Sequence, residues 1–423
     1  MNMQAVGRGD PPRRHGEELA PLEEWIGGNE AAAALTRMNE EINCGDTLLV
    51  TVSFAVPTPF SDGAKGWIPV RPRSFRYALR MKNVLLCLVV VAGGAGDALA
   101  WDAAGHRAIT TVAMERLRDK VTDPVLAWTN EGRWPVVIAD QATMPDRWRN
   151  VRAPALAHVN NPDHYIDVED LVDLGMSLRT IEPLRHEFAG QLALARKERP
   201  GAGRQSNPSR DTAKTDAYPG FLPQAICEQY ARLVSNLKTM RTLAKLDDPA
   251  RADQLETARL NVAWSLGVLS HFVADAAQPL HTTRHHHGWV GENPSGYTTR
   301  REIHAEIDAT VLEKHNLYEA AIRTGFKGDR PDLSDINESN PWSAVLTHIE
   351  RSHAAMEEIY KLEKSGDLWR EPGKALITQR LTDATEMLAA LYHAAWEAST
   401  PSDDDLKAFV RYDGLEATKR EAK

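Results

Sequence analysis

Cysteine is scarce: three in 423 residues, with Cys44 and Cys87 in the first hundred and Cys227 alone thereafter. A lone thiol closes no intramolecular disulfide, so beyond residue 100 stability must come from a buried core or from bound metal. A basic excess is missing too, with 50 Lys and Arg against 59 Asp and Glu and a formal charge of -9. Proteins that hold polyanions by counterion release usually carry a basic balance. Tight sequence-independent duplex binding is therefore not expected, although a local cationic site remains compatible with the composition. The apolar run Val84–Val91 falls well short of the about twenty residues needed to span a bilayer. No strand-like alternating series and no internal repeat are found.

What the chain does have begins near its first third. Met81-Lys82, the apolar Val84–Val91, the small residues Ala92 to Gly96 and the ending Asp97-Ala98-Leu99-Ala100 form a complete secretory leader. Residues 81–100 are thus expected to be a signal peptide cut between Ala100 and Trp101, with export to the periplasm or the medium. Residues 1–80 hold scattered Pro and Gly and acidic pairs without a sustained period, and read as a doubtful extension ahead of the start at Met81. The first hundred residues carry 10 basic and 11 acidic side chains, leaving 40 and 48 beyond them and a formal charge of -8. The remaining 323 residues suffice for one large domain or two small ones.

Beyond residue 100 the apolar spacing is helical. Leu255, Val262, Leu266, Leu269 and Val273 recur at steps of seven, four, three and four. Further helices are expected near 104–119, 222–246, 301–315, 342–362 and 373–397. The fold expected for 101–400 is all-α, a single compact multi-helix domain, with a solvated tail over 401–423. Residues 197–220 and 283–300, rich in Gly, Pro or Ser, read as long surface loops.

The candidate chemistry lies in His and Asp spacing. His271 and Asp275 stand four apart on a predicted helix and share a face, His281 follows Gln278-Pro279-Leu280 where that helix ends, and His304 and Asp308 repeat the spacing. Alone, one His-x-x-x-Asp is an ordinary surface ion pair. Two such pairs with a helix-terminal His can converge nitrogen and carboxylate ligands on cations of zinc-like preference. A freed α-amine and carbonyl at Trp101, with His106 five residues on, can chelate a cation as well.

Together with Met144-Pro145-Asp146-Arg147-Trp148-Arg149 and His164-Tyr165-Ile166-Asp167, these motifs resemble the single-strand-specific zinc nuclease family, which shares its fold with bacterial zinc-dependent phospholipase C. The resemblance covers residue 101 to about 315 and thins afterwards. It implies three zinc ions. Asp146, His164, His271 and Asp275 would hold one, and Trp101, through its amine and carbonyl, would hold a second with His106 and a bridging Asp275. The third would fall to His281, His304 and Asp308. Zinc lowers the pKa of bound water from 15.7 toward about 7, which supplies a nucleophile at neutral pH. The resemblance also implies that Arg149 contacts phosphate, and that Tyr165 and Asp167 offer a nucleobase a stacking face and a hydrogen bond. The alternative for that last pair is a core aromatic and a helix cap.

Other residues receive plainer readings. Asp140 is the alternative to Asp146, because the segment 139–150 departs from the family's pattern ahead of its aspartate. His158 lies near the motifs without matching them. His285-His286-His287 is expected to be solvated, Cys227 a small core residue and Trp264 packing. Where the nucleases usually carry Gly-Gly-Asn, this chain has Gly291-Glu292-Asn293-Pro294, which bears on substrate. Three functions follow in order: a secreted endonuclease giving 5′-phosphates from single-stranded DNA or RNA, with possible 3′-nucleotidase action; a zinc-dependent phospholipase C acting on phospholipid; and a non-catalytic exported zinc-binding protein. No stable protein partner is implied.

Overall fold

In the computed structural model, described over residues 47–54, 73–80, 101–151, 153–204, 215, 217–326, 336 and 340–413, the chain divides into two units, Met1–Gly96 and Asp97–Lys423. In the first, β1 (Thr47–Phe54) and β2 (Arg73–Arg80) pair antiparallel, Thr47 opposite Arg80 and Phe54 opposite Arg73. No period was expected in that region, yet TLLVTVSF is rich in β-branched residues and RSFRYALR alternates, a preference that partner pairing makes effective. The expected signal peptide, 81–100, lies outside the described residues.

The second unit is all-α; among its described residues the only extended pairing is one bridge between Ile166 and Gly220. It runs through α1 (Ala103–Lys120), α2 (Trp134–Gln141), α3 (Met144–Arg149), α4 (Pro154–Asp163), α5 (Val168–Asp173), α6 (Arg185–Glu198), α7 (Leu222–Leu246) and α8 (Ala252–Ala277). Then come α9 (Ile303–Ala305, continuing through a π-helical Glu306–Val311 into Leu312–His315), α10 (Glu319–Gly325), α11 (Trp342–Ala354), α12 (Met356–Ser365), α13 (Glu371–Ala398) and α14 (Asp403–Asp413). The long periodic helices fall where spacing predicts them, apart from a break at Ala355 that splits the expected 342–362. The short α2 to α6 and α10 were not anticipated, since six to fourteen residues give periodicity little room. Three of them, α2, α3 and α4, carry Pro in the first two positions, where its missing N–H costs nothing.

The centre of the unit is α8. From Val262 to Ala277 every residue but Trp264 is buried, the pattern of a helix surrounded on all sides. It packs on α7, α13, α2, α1 and α11. At Gly267 the end of α2 comes so close that a Cβ would lie 2.3 Å from the Gln141 Cβ and 2.7 Å from its carbonyl carbon. The expected tail is corrected in part. A Ser402-x-x-Asp405 capping box, with Ser402 Oγ accepting from Asp405 N at 3.1 Å and Asp405 Oδ2 accepting from Ser402 N at 2.8 Å, opens α14. Phe409 then packs on the core with the Arg251 guanidinium over its ring, so the segment is a helix anchored at Phe409, with most of its other side chains in solvent; residues 414–423 lie outside those described. No described helix is long and apolar enough to cross a membrane.

Candidate metal centre

Each candidate ligand is placed by an element end or a helical repeat. His271 and Asp275 lie on one face of α8, Nε2 to Oδ2 3.4 Å. Gln278-Pro279 ends α8 and opens the 3₁₀ turn Pro279–Thr282, which turns His281 inward. His304 and Asp308 meet at 3.3 Å, and Asp308 sits in the π-helical stretch of α9, a deviation that recurs at functional sites. Asp146 stands in the first turn of α3 and His164 caps the end of α4. His106, on the first turns of α1, stacks on His271 with ring centroids 4.1 Å apart.

These side chains form three groups: His106, His271 and Asp275; Asp146, His164 and His271; and His281, His304 and Asp308. Within each, one donor atom per residue lies within 4.8 Å of the others. Asp275 faces two sides, Oδ1 3.5 Å from His106 Nε2 and Oδ2 3.0 Å from His164 Nδ1. His271 Nε2 reaches within 3.0 Å of His164 Nδ1 and 3.9 Å of Asp146 Oδ1. All nine sequence candidates are buried. Trp101 enters through its surroundings: its indole N–H donates to the Ala274 carbonyl at 2.9 Å, and the next amide, Asp102 N, donates to the Asp308 carbonyl at 2.9 Å.

The surrounding bonds fix the rings. His271 Nδ1 donates to the Ala142 carbonyl at 2.7 Å and His281 Nδ1 to the His164 carbonyl at 2.5 Å, which leaves each Nε2 with its lone pair. Gln278 caps Leu280 N through Oε1 at 2.6 Å and donates from Nε2 to Asp308 Oδ1 at 2.7 Å. Meanwhile His164 Nε2, His281 Nε2, both nitrogens of His304, Asp275 Oδ1 and Asp308 Oδ2 have no hydrogen-bond partner among the described residues. Buried polar atoms of this kind are rarely left without a partner. Burial and neighbouring imidazoles push His164, His271 and His304 well below the ordinary histidine range, helped by Arg149 at His164 and His304. Burial likewise drives Asp275 and Asp308 well above the carboxylate range and Asp146 up to about 6, against the pull of Arg149. Neutral imidazoles beside carboxylates whose ionised form burial disfavours fit a metal, whose charge would offset that cost. The three groups can hold metal ions.

A cavity of about 370 Å³ opens onto this cluster, lined by His164, His281 and His304 of the ligand set and by Arg149, Tyr165 and Arg204 among others. Arg149 Nη1 lies 3.7 Å from Asp146 Oδ1. Tyr165 is half-buried, its OH 3.5 Å from the Tyr218 carbonyl. Its own carbonyl crowds Gly220, at φ +107°, where a Cβ would clash at 1.9 Å. Asp167 occupies the residue before α5 without capping it; its buried carboxylate lies 3.7 Å from Arg204 and 4.0 Å from His286.

Two plainer readings are settled by placement. Asp140 pairs outward with Arg107 at 2.7 Å and Arg147 at 2.9 Å, so the aspartate in the cluster is Asp146. The His285-His286-His287 run is only partly solvated. His285 is buried and stacks on Trp289 at 4.1 Å, while His286 and His287 line the cavity beside His304. The loop folds back because Trp289 N bonds Thr298 O at 2.8 Å, Asn293 bonds both N and O of Tyr297, and Glu169 accepts from Thr283 Oγ1 at 2.6 Å. Glycine content signalled a loop but not these anchors. Gln278, Arg204 and Arg301 were likewise missed as site residues; only Gln278 had a signal, being part of the Gln-Pro-Leu-His motif.

With this geometry the second unit is an all-helical protein body enclosing three buried His/Asp groups competent to bind metal. No family model and no curated protein matches the chain.

Proposed function

We propose that this protein is a secreted zinc-dependent phosphodiesterase that hydrolyses single-stranded DNA or RNA to 5′-phosphate products. The observation that carries this reading is a set of three His/Asp groups, two sharing His271 and the third approached by Asp275 through His281 at 3.9 Å, beside a cavity lined by ligand histidines and Arg149. Mixed imidazole and carboxylate donors suit zinc. Asp146, His164, His271 and Asp275 would hold one ion, His106 and Asp275 a second with the amine and carbonyl of Trp101 once cleavage frees them, and His281, His304 and Asp308 a third. Zinc held there would supply a water acidic enough to ionise near neutral pH and positive charge against developing phosphoryl charge.

The chain's own groups do the rest. The Arg149 guanidinium, held beside Asp146, is placed to bind a phosphoryl oxygen in the cavity. Tyr165 offers its ring at the cavity wall and Asp167, behind Arg204, a hydrogen-bonding carboxyl; stacking of a base on an aromatic ring tolerates any sequence. An open cavity meeting the ligands favours catalysis over a closed structural site. Leu280 is the one aliphatic side chain among the described lining residues, which favours nucleic acid over phospholipid.

The test is release of acid-soluble nucleotides from single-stranded DNA by zinc-loaded protein, with a chelated control. Chelator-sensitive release is expected, and Asp275→Asn is expected to lose it along with bound zinc. An active, fully metallated Asp275→Asn protein, or hydrolysis of phosphatidylcholine vesicles in place of nucleic acid, overturns the reading.

A further inference from the structure

The cavity differs from the molecule around it in charge. The whole chain carries -9, yet the described lining residues include three arginines, Arg149, Arg204 and Arg301, and no Asp or Glu. Arg149 belongs with the cluster through Asp146. Arg204 and Arg301 do not: neither pairs with a ligand carboxylate, and Arg301 makes no ion pair among the described residues. The acidic neighbour of Arg204 is Asp167, 3.7 Å away. Burial pushes the Asp167 carboxyl up to about 8 although Arg204 pulls it down, and Arg204 also acts on the nearby Asp170.

Arg204 and Arg301 thus add positive charge around one cavity of an otherwise acidic protein, which concentrates anions locally. One phosphate at the cluster already has Arg149 and the proposed metals. A zwitterionic headgroup, by contrast, would need an acidic or aromatic patch for its cation, and the lining offers Tyr165 alone. We propose that Arg204 and Arg301 form a subsite for backbone phosphates flanking the scissile one, so that the cavity takes a polynucleotide strand in preference to an isolated phosphodiester. His286 and His287 line the same cavity. This inference rests on the phosphodiesterase reading and extends it to the length of substrate held.

The experiment uses zinc-loaded protein and two substrates, a single-stranded dodecanucleotide and bis(p-nitrophenyl) phosphate. Anisotropy of the labelled dodecanucleotide on chelated protein is followed over a salt series. For Arg204→Ala/Arg301→Ala, the preference for the dodecanucleotide in kcat/KM should fall about tenfold, mostly through KM. The slope of log affinity against log salt should shrink by about 1.4, the loss expected for two single-strand phosphate contacts. Cleavage whose KM and salt slope are unmoved by both substitutions overturns the subsite and leaves the nuclease reading intact. Arginine-dependent binding without cleavage supports the subsite and overturns the nuclease reading. Arginine-dependent hydrolysis of phosphatidylglycerol vesicles, with no effect on the dodecanucleotide, overturns the assignment to a nucleic acid strand.

Discussion

At the scale of single residues, the site depends on groups that orient ligands as much as on the ligands. Gln278 serves two sites at once, capping Leu280 N and holding Asp308 Oδ1. Gln278→Ala should therefore lower zinc affinity about 10- to 100-fold, the usual cost of losing an outer partner. It should also lower stability by about 2 kcal/mol through the two lost buried bonds. Metal content after dialysis against graded chelator, read with the melting temperature, checks both, and unchanged zinc retention would sink the positioning role. The residue scale was the most legible in sequence: all nine candidate ligands lie buried in or beside one cluster. The choice between Asp140 and Asp146 needed coordinates, because only the fold shows Arg107 and Arg147 drawing Asp140 outward.

Elements carry the next level of constraint. The approach of α2 to α8 at Gly267 sets the Ala142 carbonyl, just past α2, against His271 Nδ1. Gly267→Val puts side-chain atoms where Gln141 backbone stands, and backbone cannot swing aside. It should cost about 3 kcal/mol or more and loosen zinc together with stability; a variant that melts like the parent and keeps its metal would contradict the packing. Helical spacing made α1, α7, α8 and α13 visible, since each buries a long stripe. The short α2 to α6 escaped because they bury few residues each. The capping box that opens α14 was readable from Ser402 and Asp405, but charge in that segment masked it.

For the whole molecule, metal and pH are the two levers. Chelation should lower the melting temperature by on the order of 10 °C, since ligands that bind only the folded state stabilise it by mass action; a chelator-indifferent melt would speak against resident metal. Acid acts separately through His348, which is buried on α11 and donates from Nε2 to the Val273 carbonyl at 3.2 Å. Burial pulls its pKa down to about 4. Between that value and about 6.5 the unfolded chain binds the proton and the folded one does not. The contribution is therefore complete above 6.5 and is lost as pH falls toward 4, to the extent of about 3 kcal/mol. In chelated protein, His348→Gln should narrow the gap in melting temperature between pH 7 and pH 4.5, and an unchanged gap would refute the assignment. By itself the sequence determined the helical class and the identity of the candidate ligands, because apolar period and His/Asp spacing are local properties written along the chain. Only the tertiary structure decided which donors share a group, that His286 and His287 turn inward, and that the arginines meet in one cavity. Those depend on distances between segments well separated along the chain, as with His164 and Asp275, 111 residues apart, which no local pattern encodes.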